Sequence, residues 1–95
     1  MKPSLDLLKK ALKACAKAHG AEFKDWSRDD NQIGIKSESV PVVADVRSIC
    51  QALYGHCAMI EVGWGYTVVF LDEAKFLDEA DENLLRMSLP SGTEL

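Results

Sequence analysis

Ninety-five residues, 47% of them apolar and 27% charged, suit one globular domain near the low end of the size at which a single core suffices. No apolar run approaches a membrane span, and Asp6, Lys9 and Lys10 interrupt the stretch where a signal peptide needs its apolar core, so a cytoplasmic location is expected. The net charge of −4 argues against a nucleic-acid partner, and three cysteines, an odd number, fit reduced thiols rather than a disulfide framework.

Ser4 is placed to cap a first helix running to about His19. Leu5, Leu8, Leu12, Cys15 and Ala16 share its apolar face, and Lys9, Lys13 and Lys17 form an i, i+4 row that reads as a solvated face. Gly20 stops it. Residues 22–28 and 31–37 read as strands around a polar turn at Asp29-Asp30. Ile33 and Ile35 point to one side, and Gln32, Gly34 and Lys36 to the other. Ser39, with Pro41 in the first turn, opens a second helix over 40–54. Its stripe is Val42, Val43, Val46, Ile49, Cys50 and Leu53, and Gly55 ends it. Residues 57–71 form a second hairpin, two apolar runs joined by Gly63-Trp64-Gly65. Asp72 is expected to cap a third helix to about Met87, with Phe76, Leu77, Ala80, Leu84 and Met87 opposite Asp78, Glu79, Asp81 and Glu82. Pro90 and Gly92 mark 88–95 as a flexible tail on a single domain of residues 1–87.

The expected fold class is α+β, in the order α-β-β-α-β-β-α. A four-stranded antiparallel sheet carries two helices on one face, with a C-terminal helix besides. Ser4 and Ser39, Cys15 and Cys50, Gly20 and Gly55, and Ile33/Ile35 and Val68/Phe70 match at an offset of 35 residues, a helix–hairpin pseudo-repeat. The element order resembles that of LAGLIDADG homing endonucleases. That resemblance implies an acidic metal-binding motif ending the first helix, and Ala16-Lys17-Ala18-His19-Gly20 has no carboxylate, so the function does not carry over. The fold is also similar to small acidic secretion chaperones, which implies dimerisation through a twisted sheet. In the second hairpin, numerical parity groups Ala58, Ile60 and Val62 with Tyr66, Val68 and Phe70, and Cys57 and Met59 with Thr67, Val69 and Leu71. Both faces are apolar apart from Glu61 and Thr67, which calls for a cover over the second face, either the third helix or a second subunit. Charge is also uneven. Residues 1–24 carry six lysines against Asp6 and Glu22, while residues 71–95 carry seven acids against Lys75 and Arg86, so the two ends can attract.

Candidate chemistry is sparse. Trp64 is either an exposed contact for a ligand or partner, or a lid folded over the sheet end; the lid is the preferred reading. Cys15 and His19, one turn apart, could give two metal ligands, with His56 or Cys57 completing the set. Adjacent strand residues diverge, so a core histidine and buried thiols are preferred and no metal is expected. Cys57 beside His56 is the least implausible thiol nucleophile. The acids of the third helix read as a solvated face, and no phosphate-binding, dinucleotide or nucleophile-elbow motif is present.

The expected function is a small non-enzymatic protein-interaction domain of adaptor, chaperone or inhibitor type. It would be homodimeric, without cofactor, nucleic-acid partner or membrane. Its binding residues would be Trp64, Tyr66, Met59, Val69 and Leu71. Two alternatives stand beside it. One is a small-ligand module with a pocket between sheet and third helix, gated by Trp64 and Tyr66. The other is a thiol enzyme using Cys57 and His56.

Overall fold

The chain enters its first element at Ser4, whose hydroxyl accepts the Leu7 N–H at 3.2 Å and satisfies a donor that the helix start leaves free. In the computed structural model, which describes residues 1–72 and 75–94, α1 spans Leu5–Ala18 and α2 spans Val40–Tyr54. Ser39 precedes α2 without a side-chain cap bond; its hydroxyl accepts from that of Ser37 instead. Gly20 and Gly55 turn the chain out of the two helices at positive φ. The strands are β1 (Phe23–Trp26), β2 (Gln32–Ile35), β3 (Ile60–Gly63) and β4 (Tyr66–Phe70), each antiparallel to its neighbours in the order β1-β2-β4-β3. The first hairpin is shorter than predicted. The Asp25 carboxylate accepts from both the amide and the hydroxyl of Ser27, and the Asp30 N–H bonds the Trp26 carbonyl, which together close a turn over 27–31.

Register corrects the face assignment of the second hairpin. Gly63 pairs with Tyr66 across a two-residue turn, so partners differ in numerical parity. Ile60 and Val62 therefore share the helix side with Thr67 and Val69, while Tyr66, Val68 and Phe70 share the other side with Glu61 and Gly63. Residues 57–59 precede the strand. The 35-residue offset also fails in the strands. Ile33 and Ile35 pair with Val69 and Thr67 on the helix side, not with the phase of Val68 and Phe70. The helix caps and left-handed glycines keep the offset.

Leu8, Leu12, Ile33, Ile35, Ile49, Leu53 and Val69 are fully buried between helices and sheet. Truncating any of these leucines or isoleucines to Ala is worth roughly 2–5 kcal/mol. Thr67 is buried among them, and its hydroxyl is satisfied by donating to the Ser37 carbonyl at 2.8 Å.

The third helix is a larger correction. It spans only Glu82–Met87 (α3), and Asp81 rather than Asp72 caps it by accepting the Leu84 N–H at 3.0 Å. Glu73 and Ala74, inside the predicted helix, lie outside the described residues. Residues 75–81 run non-helically along the end of α2. Leu77 and Asp81 give their N–H groups to the Leu53 and Ala52 carbonyls, each at 2.9 Å, and Ala80 gives its own to Met1. The bonds to Leu53 and Ala52 satisfy carbonyls that the end of α2 leaves free, while Phe76 stacks on Tyr54 at 4.5 Å. Leu85 joins the core from the helix side, and α3 packs on α2. The molecule is 20 Å thick, two layers when a helix is about 10 Å across, so α3 does not cover the second face of the sheet. Ser88 is buried with its hydroxyl on the Leu84 carbonyl, and Leu89 packs against the core.

The two ends meet at the Met1 ammonium, which contacts Glu79 at 2.7 Å and Glu82 at 3.0 Å, whereas Lys9 and Lys24 pair with Asp25 and Glu22 of their own end. The lysine row on α1 is not purely solvated. Lys9 pairs with Asp25 at 3.1 Å, and the Lys13 ammonium lies 5.5 Å from the Phe23 ring centre. Among the described residues no helix is long and apolar enough to cross a membrane.

Candidate functional site on the open sheet face

Alternation along the strands sends a distinct set of side chains away from the helices: Lys24 and Trp26 from β1, Gln32 and Gly34 from β2, Tyr66, Val68 and Phe70 from β4, and Glu61 from β3. Trp26 and Tyr66 belong to strands that flank β2, and both are diagonal neighbours of Gly34. Their rings meet edge to face, 5.5 Å between centres. A side chain at position 34 would stand between them; a Cβ there would already lie 2.7 Å from the Thr67 carbonyl oxygen. Gly34 thus lets two aromatic rings close over the middle of the sheet. They form one wall of an open groove of about 270 Å³, which Phe70, Val68 and Trp64 continue. Both charged residues lining the groove, Asp30 and Glu61, are acidic.

Trp64 is 98% exposed at the tip of the second hairpin. It does not fold over the sheet end as a lid. Its own φ is 57° and that of Gly65 is 83°, the left-handed pair that makes a two-residue turn follow the twist of its strands. Gly65 is held from outside by its N–H bond to the Glu38 carboxylate at 3.3 Å. Gly63 is the last residue of β3, not part of the turn.

Of the residues offered from sequence for binding, Trp64 and Tyr66 lie on this groove. Met59 and Val69 are buried in the core on the helix side, and Leu71 packs against that core. The groove also lies on the face opposite α3, not between sheet and helix. Trp26, Asp30 and Gln32 were missed because they come from the first hairpin. The available signal was the outward phase of Gln32 and Gly34 opposite Ile33 and Ile35.

The thiols are placed elsewhere. Burial first pushes both Cys15 and Cys50 up to about 12, so both thiols stay protonated in the free chain; nearby Asp45 and Cys57, respectively, add to the effect. Cys57 is partly exposed, and its one S–H has the Arg47 carbonyl at 3.3 Å and Gln51 Oε1 at 3.8 Å as acceptors rather than an imidazole. His56 is exposed, near the Tyr54 ring. His19 is not a core residue; its Nε2 is 2.7 Å from Asp45 Oδ2. Comparison of the chain with protein-family models, curated proteins and solved structures finds no match.

Proposed function

We propose that the chain is a non-enzymatic protein-interaction domain whose open sheet face takes an extended, lysine- or arginine-bearing segment of a protein partner. Trp64 carries this reading. A left-handed position in a two-residue turn suits Asn or Gly, whereas a bulky side chain there is strained. The ring is 98% exposed, so the fold gains nothing from it. Strain without a folding benefit concentrates at binding sites, and tryptophan is enriched at interaction hot spots.

The chemistry beside it supports a cationic occupant. Trp26, Tyr66, Phe70 and Trp64 offer aromatic faces, and Asp30 and Glu61 supply negative charge at the same groove. A cation over such a ring contributes about 0.5–2 kcal/mol, and the carboxylates steer it there. The groove is open, and its volume falls just under the roughly 300–1,000 Å³ of small-molecule sites. An extended chain lying along the sheet fits it better than an enclosed ligand.

Tryptophan emission provides the assay, since Trp26 and Trp64 both line the groove. The full chain is titrated with a short peptide alternating lysine and valine, and with its glutamate counterpart. The lysine peptide should shift the emission with an affinity that falls as salt rises, and Trp64→Asn and Glu61→Gln should each weaken it. Equal response to both peptides, or response to neither, overturns the reading. So does a dimer of the free chain in sedimentation that Val68→Lys abolishes, since this face would then be a self-interface.

A further inference from the structure

A second cluster lies away from the groove, where the C-terminal end of α1 meets α2. We propose that Cys15, His19 and Asp45 form a three-ligand site for a divalent transition ion, with Zn(II) the best match to the donor set. Cys15 and His19 are four residues apart, so α1 and its cap stack them on one face, and the packing of α2 brings Asp45 against them. The ligand atoms of the three lie within 4.8 Å of one another. Bond lengths of about 2.0–2.3 Å around tetrahedral zinc set donor atoms roughly 3–4 Å apart, so modest side-chain rotations close the set.

The residues able to move are the right ones. The side chains of His19 and Asp45 are 27% and 37% exposed, while Cys15, 1% exposed, is a fixed anchor at the core boundary. His19 and Asp45 already hold each other across the two helices, and Cys15, packed at the edge of the core, brings its Sγ to the same point. Thiolate, imidazole and carboxylate together are a borderline donor set, which suits zinc better than calcium or magnesium. Three protein ligands leave the fourth position to water.

Binding changes protonation only. The ion takes the place of the proton shared between His19 Nε2 and Asp45 Oδ2, which moves to Nδ1 or to solvent, and Cys15 releases its thiol proton to solvent. No electron is transferred. Without an ion, burial and the Asp45 carboxylate hold that thiol protonated. A cation bound between them reverses the effect of the same carboxylate by compensating both negative charges.

The test uses the full chain, stripped of metal and titrated with Zn(II) against a chromogenic chelator and with Co(II) by absorption. One equivalent should bind, and Co(II) should show a thiolate charge-transfer band with the intense visible bands of a tetrahedral site. His19→Gln and Asp45→Asn, both at partly exposed positions, should lower affinity by more than the roughly tenfold that loss of a mere supporting hydrogen bond costs. They should also abolish the rise in Tm that zinc gives the parent chain. Cys15→Ser should remove the charge-transfer band, and Cys57→Ser should change nothing. The proposal fails if no stoichiometric binding occurs. It also fails if binding survives both His19→Gln and Asp45→Asn, or if it is lost in Cys57→Ser.

Discussion

Two side chains are held at odds with their surroundings, and each makes a measurable prediction. Trp64 occupies a left-handed turn position and is fully exposed. Trp64→Asn should therefore raise stability in urea by about 1 kcal/mol while weakening binding at the groove. A loss of stability would mean that the ring contributes to the fold, and the argument for a binding role would go with it. Tyr54 is buried against Phe76, and its hydroxyl has no hydrogen-bond partner among the described residues. Burial, with Cys50 second, raises its phenol well above the ordinary range, so it stays neutral. Tyr54→Phe removes an unsatisfied polar atom and keeps the ring. Its unfolding free energy in urea should match or exceed that of the parent, by up to about 1 kcal/mol, and a loss of stability would reveal a partner for the hydroxyl.

Among the elements, β2 does the most to shape the groove. It is central, and its outward phase offers Gln32 and Gly34 where an apolar side chain would fill the space. Gly34→Ala should cost roughly 1–3 kcal/mol, because its Cβ would meet the Thr67 carbonyl and the Val68 backbone of the neighbouring strand, neither of which can swing away. It should also part the Trp26–Tyr66 pair and weaken peptide binding. Gly63→Ala is the control. Beyond its chain neighbours, no atom of the described residues lies within 4 Å of its added Cβ, and its φ is not left-handed, so thermal unfolding should barely change. The end of α2 shows a related competition. Residues 75–81 carry helical periodicity, yet their amides go to the carbonyls of Ala52, Leu53 and Met1. Pairing across the chain won over local propensity because it satisfies another helix's free carbonyls while Phe76 packs on Tyr54.

Across the molecule, charge couples the fold to pH. Hydrogen bonds from Ser27, with Lys9 adding to them, lower Asp25 from 3.8 to about 2. Lys24 lowers Glu22, and the Met1 ammonium lowers Glu82. A carboxyl lowered in the folded state stabilises the fold above its unfolded pKa and loses that contribution as pH falls through the folded value. For Asp25 the loss falls between pH 3.8 and about 2. Because the group is substantially exposed, solvent screening keeps the contribution small. Tm should decline over that interval, and Asp25→Asn should flatten part of the decline; an identical decline in the variant would remove Asp25 as its source.

The element order was legible because its signals act within a few residues. Ser4 and Ser39 mark helix starts, Gly20 and Gly55 mark stops, and the alternation around Ile33 and Ile35 marks a half-buried strand. What was not legible depends on residues far apart in the chain. Which side Tyr66, Val68 and Phe70 face follows from a two-residue turn that pairs Gly63 with Tyr66, and parity counting placed them with Ile60 and Val62. That the second sheet face stays open follows from where α3 docks, and α3 docks where α2 offers free carbonyls. Asp45 reaches Cys15 and His19 only because α1 and α2 pack side by side. Propensity and capping act along the chain, so the composition of each element can be read from it. Groove and ligand cluster alike are made by side chains that meet only after burial of the core has set the helices and strands against one another.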